Sequence, residues 1–252
     1  MTLKEALGLQ RRDMVALVGA GGKTTTLLRL ARELWESGDK VLVTTTTKIF
    51  KPAKPHIHRL FIAKELDALL RQLAEIEEPA VVAVGHGVDE TGKLIGLPLQ
   101  WFHALKQDAG MDWILIEADG AAARLFKAPL EHEPVVPEQC TVAVWVTAIK
   151  VLDKPLTPVH VHRAGRVATL LGIRIGTPIT EQHIVRLVEN PLGCLKGIPP
   201  ASRKVALLNQ ADSPEEVKKA LALGRELLRH NIERVVITSY LSGDPVKEVL
   251  TS

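Results

Sequence analysis

The stretch Val15-Ala16-Leu17-Val18-Gly19-Ala20-Gly21-Gly22-Lys23-Thr24-Thr25-Thr26 has the residue types and spacing of a phosphate cradle. Its four leading apolar residues suit a buried strand. Gly19, Gly21 and Gly22, with only Ala20 between them, let backbone N–H groups close around anionic oxygens without side-chain obstruction. A helix is expected to follow, so its N-terminal amides and dipole would face those oxygens. Lys23 would reach the terminal phosphates, and the hydroxyl of Thr24 or Thr25 would ligate magnesium. Leu27, Leu28, Leu30, Ala31 and Leu34 then recur at helical spacing, which sets the glycines at a strand-to-helix turn and not in a plain loop.

A cradle of this kind needs carboxylates to hold the metal, and Asp112-Trp113-Ile114-Leu115-Ile116-Glu117-Ala118-Asp119-Gly120 supplies them at the end of an apolar strand. Either Glu117 or Asp119 could take the ion while the other orients the attacking water. Glu117-x-x-Gly120 is similar to the E-x-x-G element of the metallochaperone GTPases for nickel enzymes, whose glycine amide senses the γ-phosphate. Thr44-Thr45-Thr46-Thr47-Lys48 begins where another apolar strand stops, and Thr46 and Lys48 are candidates for a phosphate, magnesium or switch role. Asn209-Gln210-Ala211-Asp212 follows a third strand in the manner of N-x-x-D. In N-K-x-D the aspartate accepts hydrogen bonds from the guanine edge and the asparagine fixes the loop. Here Gln210 replaces the lysine, which leaves the choice between ATP, GTP and CTP open.

Two further groups are weaker candidates. Arg124 or Lys127 could neutralise phosphate charge, and Glu131-His132-Glu133 could form a metal or substrate element, although three adjacent residues rarely converge on one ion. His56 and His58 lack a Cys or carboxylate in their loop and read as solvated.

The elements that must position these residues form an α/β pattern. Thr2 and Glu5 have capping-box spacing for a short first helix. Helix 24–37 leads through Ser37-Gly38-Asp39 to a strand at 40–44, a βαβ unit whose right-handed crossover brings both carboxyl ends to one edge of a parallel sheet. Further helices are expected at 64–77, 99–107, 161–171, 176–189 and 214–230. Strands are expected at 80–84, 113–117, 141–146, 204–208 and 234–238, the last closing the chain, with a loop over 51–59. Residues 1–252 read as a single P-loop NTPase-like domain, a mostly parallel sheet with helices on both faces. Small insertions are expected near 85–110 and 150–200.

Composition narrows the partners. With 46% hydrophobic and 24% charged residues the chain has the balance of a globular protein, and a net charge of +3 suits small anionic ligands better than a nucleic-acid track. One Tyr and four Phe leave little for stacking bases, so no nucleic-acid partner is expected. Cys140 and Cys194 lack metal or redox spacing. No N-terminal signal pattern and no apolar run of about twenty residues appears, so no membrane partner and a cytoplasmic location are expected.

Taken together, Gly19 to Thr25, Thr44 to Phe50, Glu117-Ala118-Asp119-Gly120, Lys127-Ala128-Pro129 with Glu131-His132-Glu133-Pro134, and Leu207 to Asp212 resemble YqeC proteins, described as accessory proteins of selenium-dependent molybdenum hydroxylases. The resemblance runs through nearly the whole chain, including Leu152-Asp153 to His162-Arg163 and Gly193 to Pro199. It implies an association with molybdenum-cofactor insertion, cytidylyl transfer to the pterin and selenium handling. Partners would be molybdenum-cofactor enzymes or their maturation proteins.

The resulting expectation is a magnesium-dependent NTPase that binds ATP or GTP. Gly19, Ala20, Gly21, Gly22, Lys23, Thr24 and Thr25 would hold phosphate, Thr24 with Glu117 or Asp119 the metal, and Asn209 and Asp212 the base side. Two alternatives stay open. The loop departs from G-x-x-x-x-G-K-[ST], because Leu17 stands where the first glycine belongs, and its shorter form is similar to the G-T-N-G-K-T of Mur-type amide ligases. That likeness allows an ATP-dependent ligase or kinase. The other alternative is a non-hydrolysing nucleotide or cofactor carrier. Val18 stands where MinD-like ATPases carry an extra lysine, which argues against that branch.

Overall fold

The computed structural model describes residues 1–241 and 243–251. A short helix α1 (Leu3–Ala6), closed by the Thr2–Glu5 capping box, precedes strand β1 (Met14–Gly19), helix α2 (Lys23–Glu36) and strand β2 (Val41–Thr45). Then come β3 (Lys48–Phe50), β4 (Arg59–Ile62), α3 (Leu66–Ala74), β5 (Val81–Gly85), β6 (Gly87–Val88), β7 (Lys93–Ile95) and α4 (Trp101–Asp108). The middle of the chain holds β8 (Trp113–Glu117), β9 (Phe126–Lys127), β10 (Val142–Ala148), β11 (Val161–His162), α5 (Ala164–Leu171) and α6 (Glu181–Glu189). It ends with β12 (Arg203–Asn209), α7 (Pro214–Leu227), β13 (Arg234–Thr238) and β14 (Val246–Thr251).

Nine strands form one sheet in the order β14-β13-β12-β10-β1-β8-β2-β5-β4. Every neighbouring pair is parallel except β13 and β14. The central strands are buried along their whole length, as strands covered on both faces must be. Their side chains alternate between two cores. Met14, Ala16, Val18, Ile114, Ile116, Ala206 and Leu208 face one core, packed with Leu69, Phe102, Val167, Leu187 and Leu223 of α3 to α7. Val15, Leu17, Trp113, Leu115, Val205 and Leu207 face the other, covered by Leu27, Leu30 and Leu34 of α2 and by α1.

This period-two alternation decides where the chemistry goes. Glu117 shares a face with Trp113 and Leu115, and Asn209 with Val205 and Leu207, so both lie on the α2 side of the sheet. They stand at carboxyl ends of strands, where parallel α/β sheets bind ligands. The registers Leu17↔Glu117, Thr45↔Glu117, Gly19↔Val146 and Ala148↔Asn209 bring the ends of five strands level with the glycine loop.

The structure differs from the sequence reading at four places. Val161 and His162, expected to begin a helix, form β11 paired with β9, and the helix starts at Ala164. The chain does not close on the strand at 234–238: β14 folds back antiparallel on it, and its residues are all half-buried or exposed and gave no apolar run. Residues 51–59 are not a plain loop but hold a 3-10 turn, Lys54–His56, and the start of the edge strand β4. The excursion after β5 is a hairpin, β6 and β7, that captures β3 into a small three-stranded sheet. No helix among the described residues is long and apolar enough to cross a membrane.

Candidate functional site

The glycine loop joins β1 to α2 under tight packing. Gly21 (φ +80°) and Gly22 (φ +132°) both adopt backbone angles that favour glycine. A Cβ on Gly21 would lie 2.4 Å from the Ala148 nitrogen, and one on Gly22 would lie 2.2 Å from Nδ2 of Asn209. Either methyl would force the loop off the ends of β10 and β12. The loop is also anchored by hydrogen bonds. Ala20 N–H donates to Val146 O and Gly21 N–H to Arg124 O, both at 2.9 Å. Asn209 Nδ2 donates to Gly21 O at 2.8 Å, while its Oδ1 accepts from Thr238 at 3.0 Å. Asn209 is thus a loop-positioning residue.

The first turn of α2 carries the amides of Lys23, Thr24 and Thr25, which have no intrahelical acceptor. Lys23 is 4% exposed. Its Nζ donates to Gly19 O at 2.7 Å and lies 3.1 Å from Asp119 Oδ1 and 3.8 Å from Glu117 Oε1. Thr24 Oγ1 donates to Glu117 Oε2 at 2.6 Å, whereas Thr25 is exposed. Of the two hydroxyls, Thr24 is the one facing a carboxylate.

Glu117 ends β8 and Asp119 lies two residues beyond it. Burial pushes the Glu117 carboxyl above the usual range, while Lys23 and Thr24 pull it back only in part. Asp119 Oδ2 accepts from Gly19 N–H at 3.0 Å and pairs with Lys127 Nζ at 2.9 Å. Its Oδ1 is buried and, among the described residues, has no partner aligned for a hydrogen bond. The two carboxylates therefore converge on Lys23 although the strand ends at the first of them.

Behind Asp119 runs a chain of buried charge. Lys127, 2% exposed, spans Asp119, Glu133 Oε2 at 2.9 Å and Gly120 O at 2.7 Å. Arg163 clasps Glu133 with both guanidinium nitrogens, one of them 2.9 Å from Oε1. Lys23, Lys127 and Arg163 thus stand against Glu117, Asp119 and Glu133. Equal numbers of opposite charges, in contact, are what permits burial of so many ions.

The Glu131-His132-Glu133 cluster is split by this chain. Glu131 and His132 are exposed while Glu133 turns inward, and among the described residues no group of three or more His, Cys, Asp or Glu could hold a metal ion. Burial raises the Glu133 pKa, but the hydrogen bonds and charges of Arg163 and Lys127 outweigh it and hold the carboxyl at about 2, against an ordinary 4.5. A depressed carboxyl stabilises the fold above its ordinary value and loses that contribution as pH falls toward the folded value. The stability gap between wild type and Glu133→Gln in urea titrations is therefore expected to close between pH 4.5 and about 2. A gap that stays constant over that window would contradict the assignment.

The other candidates have mixed placements. Thr45 Oγ1 donates to Glu117 O at 2.7 Å, and Thr46 Oγ1 to Val135 O at 2.6 Å, so this run ties β2 and β8 to the segment around Glu133. Lys48 points away and pairs with Asp89 at 3.1 Å in the small sheet. Arg124 contributes its carbonyl to the loop, and its guanidinium donates to Pro158 O at 2.7 Å. His58 is structural: Nδ1 accepts from Val81 N–H at 2.9 Å and its ring packs against Trp35. Asp212 accepts from Ser239 at 2.6 Å and pairs with Lys150. Sequence reasoning did not single out Lys150, Arg163 or Ser239 as site residues. Their partners lie 62, 30 and 27 positions away in the chain, and no local spacing marks them.

Magnesium, which P-loop folds employ, fits this donor set. Thr24 Oγ1, the Glu117 carboxylate it meets, and Asp119 Oδ1, which has an ion pair to Lys23 but no hydrogen bond, are hard oxygen donors beside a cationic cradle.

A family model described as YqeC protein matches residues 15–165, a span that includes the glycine loop, Glu117, Asp119, Lys127, Glu133 and Arg163. A relative in Escherichia coli (strain K12), described as uncharacterized protein YqeC, is 32% identical over 230 residues, 91% of this chain and 88% of that one. A family match over more than half of the chain, with a relative this similar over nine-tenths of it, establishes that the protein belongs to the YqeC family.

Proposed function

We propose that the protein is a magnesium-dependent nucleoside triphosphatase that acts as an accessory factor in maturation of selenium-dependent molybdenum hydroxylases. The observation that carries the nucleotide reading is the convergence of Lys23, Thr24, Glu117 and Asp119 at the mouth of one glycine loop. The maturation role is what the resemblance of this chain's motifs to YqeC proteins implies.

In this reading Lys23 and the free amides of the first turn of α2 bind the β- and γ-phosphates. Thr24 and Glu117 hold magnesium, which when bound neutralises phosphate charge and draws the oxygens into line. Asp119 is already fixed through Oδ2 by Gly19 and Lys127, so Oδ1 orients the attacking water and takes its proton. The water oxygen bonds to the terminal phosphorus as the bond to the bridging oxygen breaks, and nucleoside diphosphate and phosphate leave. Loss of the γ-phosphate returns Lys23 to Asp119. That exchange is felt along Lys127, Glu133 and Arg163, the route by which hydrolysis would reshape the surface around residues 128–137 for a partner.

Phosphate release from ATP and GTP, followed with and without magnesium, tests this. Wild type is expected to turn over slowly with magnesium, and Asp119→Asn to retain binding while losing about 2–4 kcal/mol of barrier lowering. Tight binding without turnover would favour the carrier alternative. Phosphorylation or ligation of a second substrate would favour a kinase or ligase.

A further inference from the structure

Resting on the nucleotide reading above, a second cluster identifies the base. Asp212 follows β12, and its neighbourhood is physically joined to the phosphate loop. Asn209 of the same strand end bonds Gly21 O, and Gln210 Nε2 reaches the same oxygen at 3.4 Å. Just past β13, Ser239 donates to Asp212 Oδ1 at 2.6 Å, and the next residue, Tyr240, donates through its hydroxyl to Thr26 of α2 at 2.8 Å. Asp212 therefore lies on the same sheet edge as the cradle.

The partner of Asp212 Oδ2 is Lys150, which comes from the turn after β10. Gln210, the residue that occupies the lysine position of N-K-x-D, bonds toward the loop instead. The cation missing from the motif is thus supplied by a neighbouring strand end. The Lys150 side chain remains 38% exposed and that of Asp212 14%, and an ion pair this open contributes little to stability. Leu241, two residues past Ser239, is 81% exposed, and its N–H lies 3.5 Å from Ser239 Oγ.

We infer that Asp212, oriented by Ser239, and Lys150 together form a reader for guanine. The assignment follows from the base edges. A carboxylate needs two adjacent N–H donors and an ammonium needs a neighbouring acceptor. Guanine offers N1–H and N2–H side by side, with O6 next to them. Adenine sets its N1 acceptor against the carboxylate, cytosine does the same with N3, and uracil offers one N–H between two carbonyls. Of the four common bases only guanine satisfies both charged groups without leaving one facing a like partner. The physiological substrate class is then a guanine nucleoside triphosphate.

The test is a calorimetric panel on the full chain with magnesium: GTP, ATP, CTP and UTP, the triphosphates of xanthosine and 2,6-diaminopurine riboside, and inorganic tripolyphosphate. GTP is expected to bind at least about tenfold more tightly than ATP, CTP or UTP, since a site built on paired donors and acceptors rejects mismatched edges strongly. Asp212→Asn is expected to shift preference toward the xanthine nucleotide, whose C2 carbonyl accepts from the new amide. Lys150→Met is expected to narrow, without abolishing, the discrimination between GTP and the diaminopurine nucleotide, which lacks both O6 and N1–H, because Asp212 still meets N1 as an acceptor. Tripolyphosphate affinity should stay the same in both variants, which also verifies that they are folded. Equal affinity for all bases alongside tripolyphosphate binding would overturn the guanine assignment and leave the phosphate site standing. Absence of binding by every probe would overturn both.

Discussion

Lys23→Ala is expected to abolish measurable binding of magnesium nucleotides, with affinity reduced by about a hundredfold or more. Among the described residues, the ammonium is the one cation that pairs with both Glu117 and Asp119, and it is nearly fully buried. A charge-assisted contact to phosphate in such a setting is worth about 2–3 kcal/mol. Removing it also leaves two carboxylates facing the phosphates without their shared cation, an added like-charge cost. Lys23→Arg keeps the charge but carries a planar fork where the loop offers a single acceptor, Gly19 O, and is expected to recover only part of the affinity. The readout is equilibrium binding, with thermal unfolding measured alongside to confirm that both variants are folded. Wild-type affinity in Lys23→Ala would show that phosphate does not bind at this loop.

Lys127→Met is expected to have the largest effect on stability. The substitution keeps the apolar stem and removes a buried ammonium that spans Asp119, Glu133 and Gly120 O. Breaking a buried pair from one side leaves an uncompensated charge and costs about 3–5 kcal/mol. For a chain of this size that corresponds to a fall in melting temperature of roughly 10 °C. The double variant Lys127→Met with Glu133→Gln is expected to be less destabilised than the sum of the single ones, because the second change removes one of the orphaned charges. Strict additivity in that cycle would contradict direct coupling between Lys127 and Glu133. Lys127→Met is also expected to loosen Asp119, so turnover should fall more than nucleotide affinity.

The parts of this site that could be read in the sequence are those in which chemistry and local structure coincide. Glycines, lysine and threonines at a strand-to-helix turn announce themselves through spacing, and so do carboxylates at the end of an apolar strand. The alternation that places Glu117 and Asn209 on the α2 face is likewise a local property. What could not be read depends on the closure of the sheet. Arg163 meets Glu133 only because β9 and β11 pair, and Lys150 meets Asp212 only because β10 lies beside β12. Lys127 showed itself as a cation near the carboxylates, but nothing local gave its burial. The acidic Glu131-His132-Glu133 run looked like a ligand cluster because sequence shows adjacency and hides direction. Strand β14 escaped for a related reason: its half-buried and exposed residues read as a polar tail until β13 is present to pair with it.

Titration of the wild-type protein with GTP and with ATP, in the presence and absence of magnesium, tests nucleotide binding at the glycine loop most directly. Saturable binding at one site per chain is expected, tightened by magnesium and lost in Lys23→Ala. Neither nucleotide binding under either condition, with the protein folded, would contradict it.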